Sequence, residues 1–212
     1  MTIRVWQEEI QRGRFAGWLC LAVLAGICLL LVLPGSGVAS SLCKSTTTPC
    51  EAPYPKGTTI TASLTGSSLL TDTSANPIVT CTGGTAKGTI ESIPGAEGSI
   101  LGTISELTWT GCTSATTTIK PGQITIHPIA GSDNGTLTGS GTEVLIHVFG
   151  KECTYGTGAG TDLGTFTGGA APTIDINTII NKIAGGFLCP STTRWIANYK
   201  VTEPTPIYVE PM

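Results

Sequence analysis

The chain has 212 residues, of which 12% are charged, 40% hydrophobic and 6% aromatic, with 28 Gly, 13 Pro and 36 Thr. An average globular domain carries about twice that charge, so a Thr-rich chain poor in Lys and Glu favours pleated sheet over amphipathic helix, while recurring Ile, Val and Leu exclude disorder. A net charge of -3 and a pI near 5.3 exclude the basic footprint of a nucleic-acid binder or of a protein drawn to anionic lipid.

The first element is an export signal. Residues 16–33 are an unbroken apolar run preceded by Arg4, Arg12 and Arg14 and followed by Pro34 and Gly35. Small residues at Gly37, Val38, Ala39, Ser40 and Ser41 suit cleavage between Ala39 and Ser41. Eighteen helical residues would span roughly 27 Å, so an uncleaved apolar export helix that anchors the chain is the alternative, and residues 16–33 are then its one membrane contact. Removing residues 1–40 leaves 172 residues with a formal charge of -4. That length suits one core. The expected organisation is residues 1–40 as signal or anchor, 41–57 as a short disulfide-closed segment, 58–209 as the domain and 210–212 as a tail.

From residue 58 onward, short alternations are punctuated by Gly, Pro and Asn-Gly signals about every ten residues. The spacing predicts strands over 58–65, 77–82, 86–92, 100–110, 123–129, 143–149, 162–167, 172–177 and 194–202. Asp133-Asn134-Gly135 predicts a turn that joins 124–129 to 137–149 as a hairpin, irregular at Gly139-Ser140-Gly141. Residues 177–183 fit a short helix nearly as well as a strand. Period two puts Val144, Ile146 and Val148 on one face, and Trp195, Ala197, Tyr199 and Val201 on another. Buried Trp109 and Trp195 would each need an acceptor for the indole N–H. Pro204 and Pro206 restrict 207–209 to an edge strand. The cadence as a whole predicts an all-β fold, a disulfide-stapled β-sandwich of immunoglobulin-like or jelly-roll-like type.

Six cysteines remain beyond the leader: Cys43, Cys50, Cys81, Cys112, Cys153 and Cys189. Six allow fifteen pairings, which sequence alone cannot choose between. Cys43 and Cys50 are close enough to close a small loop, and Cys81 with Cys112 and Cys153 with Cys189 are favoured because sequence neighbours tend to be spatial neighbours. No CxxC pair is present, and the wide spacings are wrong for a zinc knuckle, so neither a metal nor any other cofactor is expected.

Candidate chemistry is sparse. The two histidines are His127 and His147. His147 with Glu143 on one strand face is the nearest approach to hydrolytic chemistry, but no Gly-x-Ser-x-Gly elbow accompanies it, and a solvated pair is the plainer reading. His127 reads as a satisfied sheet histidine. Asp133, Asn134, Asp162, Asp175 and Asn177 could in principle gather calcium, yet calcium needs six to eight oxygens and the D-x-D-x-D-G spacing is missing. Residues 83–89 lack the order of a phosphate loop. Asn134-Gly135-Thr136 is a formal glycosylation acceptor. Thr recurs at alternate positions (59 and 61, 80 and 82, 108 and 110, 136 and 138, 165 and 167), which suits the exposed side of a sheet or, if flat and regular, an adhesin or ice-binding face.

Cys81-Thr82-Gly83-Gly84, Leu107 to Cys112 (LTWTGC), Cys153-Thr154-Tyr155-Gly156, Gly168-Gly169-Ala170-Ala171-Pro172, and Cys189-Pro190 followed by Trp195 to Tyr199 (WIANY) form a specific pattern. In it the chain resembles a group of exported actinobacterial proteins with a disulfide-bridged β domain. The resemblance spans about residues 58–209 and implies export without transferring any functional residue. The sequence therefore points to a secreted or membrane-anchored extracytoplasmic module, non-catalytic, whose partner class is a cell-surface or polysaccharide ligand. A secreted hydrolase using His147 with Glu143 and a Thr-faced adhesin are the alternatives.

Overall fold

Apolar-polar alternation, the strongest local signal in the chain, becomes strand throughout the described residues, 40–92, 98–148 and 150–210 of the computed structural model, and no helix forms among them. The apolar run 16–33 and the small residues 37–39 lie outside the described residues. In chain order the strands are β1 (Leu42–Cys43), β2 (Thr59–Thr71), β3 (Pro77–Ser92), β4 (Ile100–Cys112), β5 (Thr116–Lys120), β6 (Gln123–Pro128), β7 (Gly135–Ser140), β8 (Glu143–Val148), β9 (Lys151–Gly156), β10 (Thr161–Thr167), β11 (Thr173–Gly185), β12 (Thr192–Glu203) and β13 (Tyr208–Val209).

The expected sandwich, immunoglobulin-like or jelly-roll-like, does not form. One antiparallel sheet instead closes on itself as an eight-stranded barrel in the order β10-β7-β6-β4-β3-β2-β12-β11, with β11 returning to pair with β10. The reason lies in strand length. Pieces expected as separate short strands are continuous: β3 runs through Gly83 and Gly84, β2 continues to Thr71, and β11 absorbs the helix candidate at 177–183. Long strands interrupted by bulges, as between Ser63 and Ser68 or Asp162 and Gly164, twist strongly enough for the last strand to meet the first. Closure also leaves no long unpaired edge in that ring.

Gly83 and Gly84 do not break β3 because β4 needs the room. A Cβ on Gly83 would stand 2.5 Å from Thr110 Oγ1, and one on Gly84 2.6 Å from the Thr108 carbonyl oxygen. The β6–β7 hairpin forms as expected, with Pro128 opposite Gly135, but Gly131 rather than Asn134 or Gly135 takes the positive φ, of 71°. Gly141, at φ 70°, then separates β7 from β8. β8 leaves the barrel and, with β5 and β9, extends the sheet from the far half of β11, so that β5 comes to lie beside β4. The long strands β2, β3, β4, β11 and β12 thus carry a closed half and a second, curled half.

Inward residues match the period-two faces. Val144, Ile146, Ala197, Tyr199 and Val201 are buried, as are Leu137, Phe166 and Ile176, while Arg194, Asn198 and Lys200 point outward. Apolar inside and polar outside is the reverse of a membrane-spanning barrel. Residues 41–57 are tied into one barrel end. β1 pairs with β13, Leu42 enters the core, and the Tyr54 hydroxyl donates to Pro206 O at 2.7 Å. The tail beyond Pro206 remains at the edge, as its prolines require.

The three disulfides form as Cys43–Cys50, Cys81–Cys112 and Cys153–Cys189. Three such bridges belong to an oxidising, extracytoplasmic compartment.

Candidate functional site: the barrel interior

Eight strands give a barrel about wide enough for its own side chains or one small ligand. Here the filling is incomplete. A cavity of about 120 Å³ lies among Ile60, Ile126, Leu137, Leu163, Phe166 and Ile176, and Leu42 closes it at the β1 end. Every one of these lining side chains is apolar. At the other end stand Trp195 and, beyond it, Trp109, whose rings meet edge to face with centroids 6.1 Å apart. A smaller void of about 20 Å³ continues past them between Leu70, Val144 and Ile180.

The polar groups at this end are few and buried. Trp195 has the acceptor its burial demands, Ser68 Oγ, at 3.0 Å. Trp109 does not: its Nε1 and the Tyr199 hydroxyl are both buried without a hydrogen-bond partner of good geometry. Each such group costs about 1–3 kcal/mol relative to a satisfied one. Burial pushes the Tyr199 hydroxyl up to about 12, outweighing the opposing pull of the neighbouring Trp109 indole. Burial likewise pushes Tyr155 up to about 12, its hydroxyl donating to Pro190 O at 3.0 Å.

These two tyrosines make an alkaline prediction. Their folded values exceed the ordinary value of 10, so the stabilisation is complete below pH 10 and is lost as pH rises from 10 toward 12. Over that window stability is expected to fall by about 1.4 kcal/mol per pH unit for each tyrosine. Phenolate absorbance recorded beside a urea midpoint series checks it; ionisation of both at the ordinary value in the folded protein would refute it.

Other candidate residues fall elsewhere. His147 Nε2 lies 3.5 Å from Glu152, its cross-strand partner, whereas Glu143 reaches Lys120 at 3.6 Å. The proposed His147–Glu143 device is therefore not assembled. His147 Nδ1 has no partner, and Ser114 spends its hydroxyl on the His147 carbonyl. His127 is satisfied at both nitrogens, by Ser99 Oγ at 2.9 Å and Thr138 Oγ1 at 3.0 Å. Sequence could not name these partners, because one comes from the segment before β4 and the other from β7.

The calcium candidates do not converge. Asp162 accepts from Gly164 N, Asp175 takes Thr173 and the Asn198 amide, and Asn134 accepts from Gly168 N. Threonines do line up across strands, in one row from Thr167 through Thr173, Lys200, Ser63 and Thr85 to Thr108. That row winds around a closed barrel, so it presents a curved band rather than a flat lattice-matching face. Among the described residues, one group of potential metal ligands has its atoms within 4.8 Å of one another: Cys43, Cys50 and Glu210. Its two sulfurs are joined to each other, so no thiolate is offered. Glu210 was hidden in what read as a three-residue tail; an acid ending the apolar triplet Ile207-Tyr208-Val209 is the signal that could have marked it.

No family model, curated protein or solved structure matches the chain, so the actinobacterial likeness rests on the sequence segments alone.

Proposed function

We propose that the chain is an exported, non-catalytic binding module of the cell envelope, released or membrane-anchored, whose barrel interior takes a small, mainly apolar ligand carrying one hydrogen-bonding group. The observation that supports this is the apolar cavity lined at one end by Trp195 and Tyr199, the Tyr199 hydroxyl being buried without a hydrogen-bond partner of good geometry. An engineered apolar cavity of roughly 150 Å³ accepts benzene, so about 120 Å³ suits a single ring or a short branched chain. A ligand oxygen at the Tyr199 end would accept the phenol O–H, removing the desolvation cost of that hydroxyl.

The test is a thermal-shift and methyl-NMR titration with benzene, phenol and cyclohexanone. Binding is expected to perturb the methyls of Ile126 and Leu137, with about 2.7 kcal/mol of added stability at a hundredfold excess over Kd. The oxygen-bearing probes should bind more tightly than benzene, and Tyr199→Phe should narrow that difference. If no probe moves either readout, the interior is packing space and the reading fails.

A further inference from the structure

Glu210 sits at the end of β13, 6% exposed, against the first described residues of the chain. The Ser41 hydroxyl donates to Glu210 Oε2 at 2.8 Å, Cys50 N–H donates to Oε1 at 2.8 Å, and Glu210 N–H donates to Ser41 O at 2.9 Å. Both donors to the carboxylate are neutral. Among the described residues no ion pair reaches Glu210: the three that form join Lys87 to Glu106, Lys120 to Glu143 and His147 to Glu152. A buried carboxylate ordinarily has a cation beside it, because two neutral hydrogen bonds do not replace its lost hydration.

Ser40 and Ser41 are themselves 0% and 5% exposed, and the Ser40 hydroxyl is buried with no partner. The two serines coincide with the stretch at which the sequence predicts leader cleavage, between Ala39 and Ser41.

We infer that leader removal supplies the missing cation: the new α-ammonium, on Ser40 or Ser41, pairs with the Glu210 carboxylate and locks the β1–β13 clasp that holds Leu42 in the barrel end. The inference rests on the export reading above. Chemically, a leader peptidase adds water across the peptide bond. The carbonyl carbon gains the hydroxyl, the freed nitrogen gains the proton, and at neutral pH the amine takes a second proton from solvent. Before cleavage that nitrogen is a neutral amide; afterwards it carries a full charge within one residue of a hydroxyl already bound to the carboxylate. Processing would thus complete the fold, and Leu42, a wall of the ligand cavity, would be set in place by the same event.

The experiment uses the full gene with its own leader in an exporting host. Intact mass and N-terminal sequence of the product from medium and membrane fractions come first. The folded product is then treated at neutral pH with an amine-acylating reagent, and the N-terminal peptide is followed by mass spectrometry. A start at Ser40 or Ser41, with acylation at least about tenfold slower than in urea and restored by Glu210→Gln, is the expected result, since each unit of raised amine pKa removes a factor of ten of free amine. Should Glu210→Gln fail to fold, the folded-against-urea comparison in the natural chain decides alone. Cleavage at the expected place with an amine that reacts as fast folded as unfolded overturns the pairing while leaving export intact. A chain that keeps its leader overturns the pairing too, and a product confined to the cytosol removes the export reading with it.

Discussion

Replacing Gly164 by alanine is expected to open the barrel seam and lower stability by about 4 kcal/mol. Gly164 lies in β10 beside a bulge, laddered on one side to Leu137 and on the other to Ile176, so it stands where the ring closes. Its φ is 134°, a conformation that an L side chain adopts only under strain of about 1–3 kcal/mol. A Cβ there would also overlap the Asp175 carbonyl oxygen, which is backbone and cannot swing aside. Overpacking of that kind costs about another 1–3 kcal/mol, and relief by separating β10 from β11 forfeits ladder hydrogen bonds. The control is Gly160→Ala. Gly160 has a φ of 67° but open space around its Cβ position, so its cost should be about 1 kcal/mol. Urea midpoints of both variants, with amide exchange along β10, check the claim. Equal costs would mean that the seam tolerates the side chain.

Closure at Gly164 also shows what local patterns could and could not reveal. Alternation alone placed Trp195, Ala197, Tyr199 and Val201 inside, because period two is fixed by the strand itself and needs no knowledge of the partner. The bridges were legible for a similar reason: Cys81 and Cys112 face each other on consecutive strands, and consecutive strands tend to be neighbours. Closure depends on pairings that no local pattern carries. β12 lies against β2 and β10 against β7, segments far apart in sequence, and whether a curved sheet ends as a sandwich or a ring is decided by accumulated twist. Glycine misled in one place. Gly83-Gly84 reads as a break, yet it marks close approach to Thr110 and Thr108.

The site was legible in part. Trp109 and Trp195 declared their need for acceptors, but the partner of one is Ser68 on β2 and the other is left facing Tyr199 on β12, residues far from them in sequence. A cavity cannot be read from a list of apolar residues, since it is the volume they fail to fill. His147 with Glu143 failed for a simpler reason. Residues four apart on a strand share a face but stand about 13 Å from each other, so the cross-strand neighbour is closer, and that neighbour is Glu152.

Complete reduction is expected to remove about 10 kcal/mol and leave the chain unfolded or nearly so at 37 °C. The three bridges close loops with separations of 7, 31 and 36 residues. Chain-entropy estimates for loops of that size are about 2.5, 3.7 and 3.8 kcal/mol. Because the loops follow one another without nesting or overlap, each constrains a different stretch of the unfolded chain and the contributions add. A domain of this length has enough core to fold, but total stability is typically about 5–15 kcal/mol, so a loss of this size consumes most of it. The bridges should nevertheless differ in what their loss does to the native state. Cys81 and Cys112 are direct partners in the β3–β4 ladder, which persists without them. Cys153–Cys189 instead ties the β11–β12 connection to β9, with Cys189 N–H donating to Gly186 O and Lys182 Nζ to Cys189 O. The double variant Cys153→Ala with Cys189→Ala should therefore loosen that connection in amide exchange before global unfolding, whereas Cys81→Ala with Cys112→Ala should lower the urea midpoint by a similar amount without local opening. Urea curves of the oxidised, reduced and paired-alanine proteins test the additivity, and a reduced protein that keeps its midpoint would show that the barrel holds itself closed without sulfur.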